Sequence, residues 1–107
     1  MGKFVITKRI DGDFQFNLKA DNGQVILTSE GYKSKVGCEN GIESVRKNSV
    51  NDGSFERMKS KNDKPYFNLK AANHQVIGTS EMYESTSAME KGIASVKKNG
   101  PYAGVEG

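Results

Sequence analysis

The stretch from Phe16 to Tyr32, FNLKADNGQVILTSEGY, recurs 51 positions later as FNLKAANHQVIGTSEMY between Phe67 and Tyr83. The correspondence runs without insertion or deletion from Phe4 and Phe55 to Asn48 and Asn99. An internal repeat constrains the fold more than any motif does, because each copy adopts the same local structure and finds the rest of its core in the other. A unit of about 50 residues buries too little surface to be stable alone, whereas 107 residues is an ordinary domain size. The expectation is one domain over residues 1–107, with repeat one at about 3–50 and repeat two at about 54–107.

Within the first unit, Phe4-Val5-Ile6 opens a β-prone run over about residues 3–9, closed by the turn residues Asp11-Gly12-Asp13. Phe14, Phe16 and Leu18 then alternate with Gln15, Asn17 and Lys19, the period-2 pattern of a sheet with one wet face. Asp21-Asn22-Gly23 makes a hairpin. A three-residue loop with Gly23 left-handed pairs Leu18 with Ile26, and a two-residue loop pairs it with Leu27. Ile26 is kept as Ile77 while Leu27 becomes Gly78, which favours the three-residue loop with Leu27 on the outer face. His74 replaces Gly23 and tolerates positive φ better than most residues.

Cys38, Ile42 and Val45, repeated as Met89, Ile93 and Val96, form one helical stripe, placing helices at about 35–47 and 87–98. Ser34 and Ser85 suit N-caps, Ser87 with Glu90 suits a capping box, and Asn48 and Asn99-Gly100 suit left-handed stops. Gly41 and Gly92 sit in mid-helix, where glycine costs about 1 kcal/mol against alanine. Close approach of the helix backbone to the sheet would offset that. The tail from Pro101 to Gly107 is left as either a short edge strand or loose chain.

Two sets of three strands and a helix, joined by a short Ser49–Ser54 segment, call for an α+β fold. A single antiparallel sheet would carry both helices on its apolar face, with a pseudo-twofold axis between the units. The other face would present Asn17, Lys19, Asn68 and Lys70.

The FNLKA, NGQVILTSE-x-Y and GI-x-SV-x-KN segments, present twice, resemble the YegP-like family of small uncharacterised bacterial proteins. The resemblance covers nearly the whole chain. It implies tandem β3-α-β repeats in a single sheet with exchanged C-terminal strands, and single-repeat members that reach the same structure as homodimers. It implies no activity and brings no catalytic residues.

The remaining residues narrow the function by exclusion. The 16 basic and 13 acidic residues are dispersed, so the net charge of +3 is only a mild bias toward anionic partners. No apolar run is long enough to span a membrane or serve as a signal peptide, and Ile6 stands where a myristoylation motif needs Ser or Thr. With a single cysteine this suits a soluble cytoplasmic protein. His74 and Cys38 are the only imidazole and thiol; His74 reads as a turn residue and Cys38 as core, so no metal site, cofactor site or catalytic triad is expected. The acidic turns lack the spacing of calcium loops and the glycines lack a phosphate-binding pattern.

Two polar groups stand out. Glu30 and Tyr32, repeated as Glu81 and Tyr83, lie at strand-to-helix junctions, where ligands often bind. The plainer account is that the neighbouring hydroxyls and Glu satisfy backbone donors near the helix start while Tyr packs. The sheet face of Asn17, Lys19, Asn68 and Lys70 is the second group, and only Tyr66 offers it an aromatic ring for stacking on bases. A non-enzymatic structural or protein-interaction module is the first expectation, a monomer acting as a pseudo-dimer. Binding of nucleic acid or another anion through the lysine-bearing face is the alternative.

Overall fold

The computed structural model describes residues 2–107. In chain order the elements are β1 (Lys3–Lys8), β2 (Phe14–Lys19), β3 (Val25–Ser29), α1 (Lys35–Asn48), a single 3-10 turn (Asp52–Ser54), β4 (Phe55–Lys59), β5 (Pro65–Lys70), β6 (Val76–Thr79), α2 (Thr86–Asn99) and β7 (Gly104–Glu106). The seven strands form one sheet in the order β4-β5-β6-β3-β2-β1-β7. The two units meet where β3 pairs antiparallel with β6, Thr28 opposite its own repeat equivalent Thr79. That pairing places the pseudo-twofold axis.

Both helices lie on the face lined by Phe4, Phe16, Leu18, Phe67 and Leu69, all of them excluded from solvent. Each helix also reaches across the axis: α1 touches β5 and β6 as well as β2, and α2 touches β3 as well as β5. Phe4 meets Phe16 edge-on at 5.7 Å, and Phe55 meets Phe67 at 5.6 Å, the arrangement aromatic quadrupoles prefer. The interior is therefore shared between units, as the duplication requires.

The hairpin corrects the expected register. Its loop has three residues, with Gly23 at φ +83°, the Gly23 N–H bonded to the Ala20 carbonyl, and the Ala20 N–H to that of Gln24. His74 takes the same conformation at φ +68°. Lys19 duly faces Val25, but the register then shifts by one residue, so that Leu18 faces Leu27 and not Ile26. This bulge turns both Ile26 and Leu27 inward, and Leu27 is fully buried. The same shift between Leu69 and Lys70 sets Leu69 opposite Gly78.

Leu27 became Gly78 for a reason other than exposure. A Cβ on Gly78 would sit 2.9 Å from Leu27 Cγ and 3.0 Å from the Thr28 carbonyl. The two equivalent positions meet near the axis, where there is volume for one large side chain. Ser49 and its equivalent Gly100 repeat the arrangement, since a Cβ on Gly100 would lie 2.6 Å from Ser49 Oγ. Duplication within one chain permits such broken symmetry.

The helix ends differ from expectation in two places. Ser34 and Ser85 are the N-caps, accepting from the N–H of Gly37 and Ala88 at 3.0 and 3.1 Å, so the expected Ser87–Glu90 box does not form. Ser87 lies inside α2, and Glu90 binds Arg57 instead. Neither helix stops left-handed: the caps Ser49 and Gly100 have φ −67° and −53°. Asn48 and Asn99 are the last helical residues, turned inward to donate to the Ser44 and Ser95 carbonyls at 2.8 and 2.9 Å. Asn99 also accepts from the Gly2 N–H at 2.8 Å, tying the N-terminus to α2.

Gly41 and Gly92 face tyrosine rings, not the sheet backbone. A Cβ on Gly41 would lie 2.6 Å from Tyr32 Cζ and nearer still to the hydroxyl, and Gly92 stands in the same relation to Tyr83. The tail forms β7, which runs parallel to β1 with Val105 opposite Phe4. Strand exchange is thus one-sided. The segment after α1 is consumed in reaching β4, which leaves β4 as an outer strand without a counterpart to β7.

Candidate functional site

At the junctions the chain leaves the sheet through Ser29 and Ser80. Ser29 Oγ accepts from the Phe16 N–H at 2.9 Å and donates to the Glu30 carbonyl at 2.8 Å; Ser80 does the same with Phe67, at 3.0 Å, and Glu81, at 2.8 Å. These hydroxyls therefore complete the strand ladders, and the helix starts are served by Ser34 and Ser85. The four residues of the junction group then part company. Tyr32 and Tyr83 turn beneath the helices, stacked on Phe16 and Phe67 with centroids 6.3 Å apart in each case. Glu30 and Glu81 point to solvent, and Glu81 accepts from Gln24 Nε2 at 3.3 Å. A shallow depression of about 460 Å³ lies between the glutamates, floored by Thr28 and Thr79.

Burial pushes both phenols above their ordinary value of 10.0, with lesser help from nearby Glu30 and Glu81. A folded state that holds the phenol proton more tightly than the unfolded chain is stabilised below pH 10 and loses that contribution as pH rises through the raised pKa values. The wild-type chain should therefore lose stability above pH 10 more steeply than the Tyr32→Phe/Tyr83→Phe double variant. Denaturant melts across that range would show it. Parallel slopes in the two proteins would refute the tyrosine contribution.

Asn17, Lys19, Asn68 and Lys70 do share the uncovered face, each half-buried among its neighbours. Their surroundings differ between the units. In the second, Lys70 Nζ donates to Glu56 at 2.9 Å, Asn68 Nδ2 to Met58 Sδ at 3.2 Å, and Thr79 Oγ1 to Asn68 Oδ1 at 2.8 Å. Lys70, and then Asn68, hold the Glu56 carboxyl below the usual carboxylate range. In the first unit Val5 stands where Glu56 would, and Lys19 lies opposite Lys3 and Val25. Lys3 pairs with Glu106 of β7 at 3.1 Å. Glu56 and Glu106 were missed by sequence reasoning; the Val5-for-Glu56 difference was the available signal for the first.

On the helix side, at the outer edge of β4, Arg57 binds Glu90 through two nitrogens at 2.6 and 3.0 Å and Asp52 at 3.0 Å. Lys97 adds a second bond to Asp52 at 2.8 Å. These partners lower the pKa of Asp52 and Glu90. Arg57 occupies the position of Ile6 in the first unit, where β7 covers the edge.

The chain resembles known proteins along almost its whole length. The family model described as "Domain of unknown function (DUF1508)" matches twice, at residues 11–56 and 60–106. A UPF0339 protein of Acinetobacter baylyi is 59% identical over 98% of this chain and 95% of its own length. UPF0339 protein YegP of Escherichia coli K12 is 54% identical over 92% of this chain and 90% of its own. The solution NMR structure of a UPF0339 protein from Shewanella oneidensis, 53% identical, superposes with a TM-score of 0.92 over 98% of this chain and 89% of that one. The double match follows the internal repeat, and the chain belongs to the DUF1508 (UPF0339) family, as a tandem member of the YegP type.

Proposed function

We propose that the protein is a non-enzymatic interaction module, a monomer of the bacterial cytoplasm whose partner is another protein received on the uncovered sheet face. The observation that carries this reading is that, among the described residues, a seven-stranded sheet has helices on one side only. Its other side presents polar groups already fixed by one another, as in the Thr79–Asn68–Glu56–Lys70 chain. Groups ordered before binding lose less entropy on contact. The hydroxyls of Ser29 and Ser80 are occupied in the backbone ladder and His74 stands at a hairpin tip, which supports a role without nucleophilic chemistry.

A photoreactive residue placed at Gln15 or Thr28 in cells should give discrete protein adducts, and one placed at Lys91 on the exposed side of α2 should not. Adducts from neither position, or the same set from both, would reject the sheet face as the docking surface. Binding of nucleic acid or another anion is favoured only by Lys3 and Lys19 side by side, and Glu56 and Glu106 on the same face oppose it. Oligonucleotide retention that falls steeply with salt would move the assignment there.

A further inference from the structure

The two repeat units end their sheets differently. Phe16 and Phe67 direct their backbone groups toward β3 and β6, since each N–H binds the serine hydroxyl there and Ser80 N–H returns to the Phe67 carbonyl. In an antiparallel ladder the residues facing them across the other neighbour point their own groups outward. Those residues are Ile6, facing Phe16, and Arg57, facing Phe67. At β1 the outward groups meet β7, whose Val105 lies opposite Phe4 and lines a surface hollow with Ile42 and Glu43 of α1. At β4 the corresponding groups of Phe55, Arg57 and Lys59 meet no strand among the described residues, and the Phe55 N–H closes the 3-10 turn onto Asp52.

We propose that this edge receives an extended segment of a partner polypeptide, running parallel to β4 as β7 runs along β1. The segment carries a small apolar residue opposite Phe55, as Val105 lies opposite Phe4, and an acidic residue opposite the exposed Lys59. Edge addition of this kind takes its affinity from main-chain hydrogen bonds and its specificity from alternate side chains. On the helix side the entering residues meet Phe55, then Arg57, whose guanidinium is already held by Glu90 and Asp52, then the exposed Lys59. On the open side they meet Glu56 and Met58. A second copy is a poor occupant: an antiparallel β4–β4 contact centred on Arg57 sets each exposed Lys59 against the apolar Phe55 of the other copy and crowds the two Arg57 side chains together. A strand with a carboxylate opposite Lys59 finds an exposed cation to pair with.

This inference rests on the reading of the chain as an interaction module but uses a separate surface. Crosslinking from Gln15 or Thr28 can succeed while the edge stays empty, and the reverse, so the two fail independently.

The test titrates the 15N-labelled full chain with the capped hexapeptide Gly-Val-Thr-Thr-Val-Glu, whose glutamate falls opposite Lys59, against a control of sequence Gly-Val-Thr-Thr-Val-Lys. The acidic peptide should shift the Arg57 and Lys59 amide signals to saturation and protect both amides from solvent exchange. The basic control should bind about fivefold more weakly, the difference between one exposed opposite-charge pair and one like-charge pair at Lys59. Lys59→Glu, at an exposed side chain where the fold is retained, should remove most of that preference. Unmoved β4 amides at millimolar peptide would overturn the proposal. So would shifts confined to β1 and β7, or β4 signals that broaden with protein concentration alone, since these mean displacement of β7 or occupation by another copy.

Discussion

Gly41→Leu is expected to destabilise the protein by about 3 kcal/mol or more, the upper end of what overpacking costs, and to lower the melting temperature by roughly 15 °C. The tyrosine beneath the glycine has nowhere to go. Its ring is stacked on Phe16, and its backbone exchanges two hydrogen bonds of 2.7 Å with Phe14. A side chain at position 41 therefore lifts α1 from the sheet. The mechanism is separable from helix propensity by a double-mutant cycle with Tyr32→Leu. In the wild-type background Gly41→Ala should destabilise, because its Cβ meets Tyr32 Cζ at 2.6 Å and Phe16 Cε2 at 3.1 Å. In the Tyr32→Leu background the same change should stabilise by up to about 1 kcal/mol, the ordinary advantage of alanine in a helix. Equal effects in the two backgrounds would show that something other than the tyrosine excludes a side chain, and an unchanged melting temperature for Gly41→Leu would remove the packing argument altogether.

What could be read from the sequence follows from which interactions are local. The repeat marks the units, the Phe16–Leu18 alternation marks a one-sided sheet, and the Cys38–Ile42–Val45 spacing marks a helix over it, because each pattern needs only neighbouring residues. The hairpin loop was legible for the same reason: Gly23 and His74 both adopt the positive φ that a three-residue loop demands. The bulge one step further on was not, since a period-2 pattern carries no sign of an extra residue, and two apolar neighbours, Ile26 and Leu27, can both turn inward only when the ladder slips. Reading Gly78 as evidence of exposure failed because its constraint comes from Leu27, distant in sequence and brought close by the axis.

The site divides in the same way. Alternation alone brings Asn17, Lys19, Asn68 and Lys70 to one face. The junction group separates because Tyr32 answers to Gly41 while Glu30 answers to solvent. Glu56, which matches the charge of Lys70, lies on the next strand and outside the part of the repeat where the copies agree best. Its absence from the first unit makes the face electrostatically uneven, with Lys3 and Lys19 adjacent on one half and a closed network on the other.

Residues 1–50 expressed alone should show no cooperative unfolding at low concentration, and mixing them with residues 51–107 should restore it. Alone, β3 loses its pairing with β6, β1 loses β7, and the helix that crosses onto β3 is missing. At high concentration each half could pair with itself, and the axis predicts the outcome. Two first units would bring Leu27 against Leu27 and Ser49 against Ser49 where the intact chain accommodates one of each; two second units would leave both volumes to glycine. Overpacking costs about 1–3 kcal/mol and an unfilled leucine-sized volume about 2–5. The mixed pair avoids both, so sedimentation of an equimolar mixture should yield the heterodimer in preference to either homodimer. A sharp, dispersed spectrum from a dilute monomeric half would show that each unit holds its own core, and a statistical mixture of the three dimers would show that the Leu27–Gly78 and Ser49–Gly100 exchanges do not adapt the two units to each other.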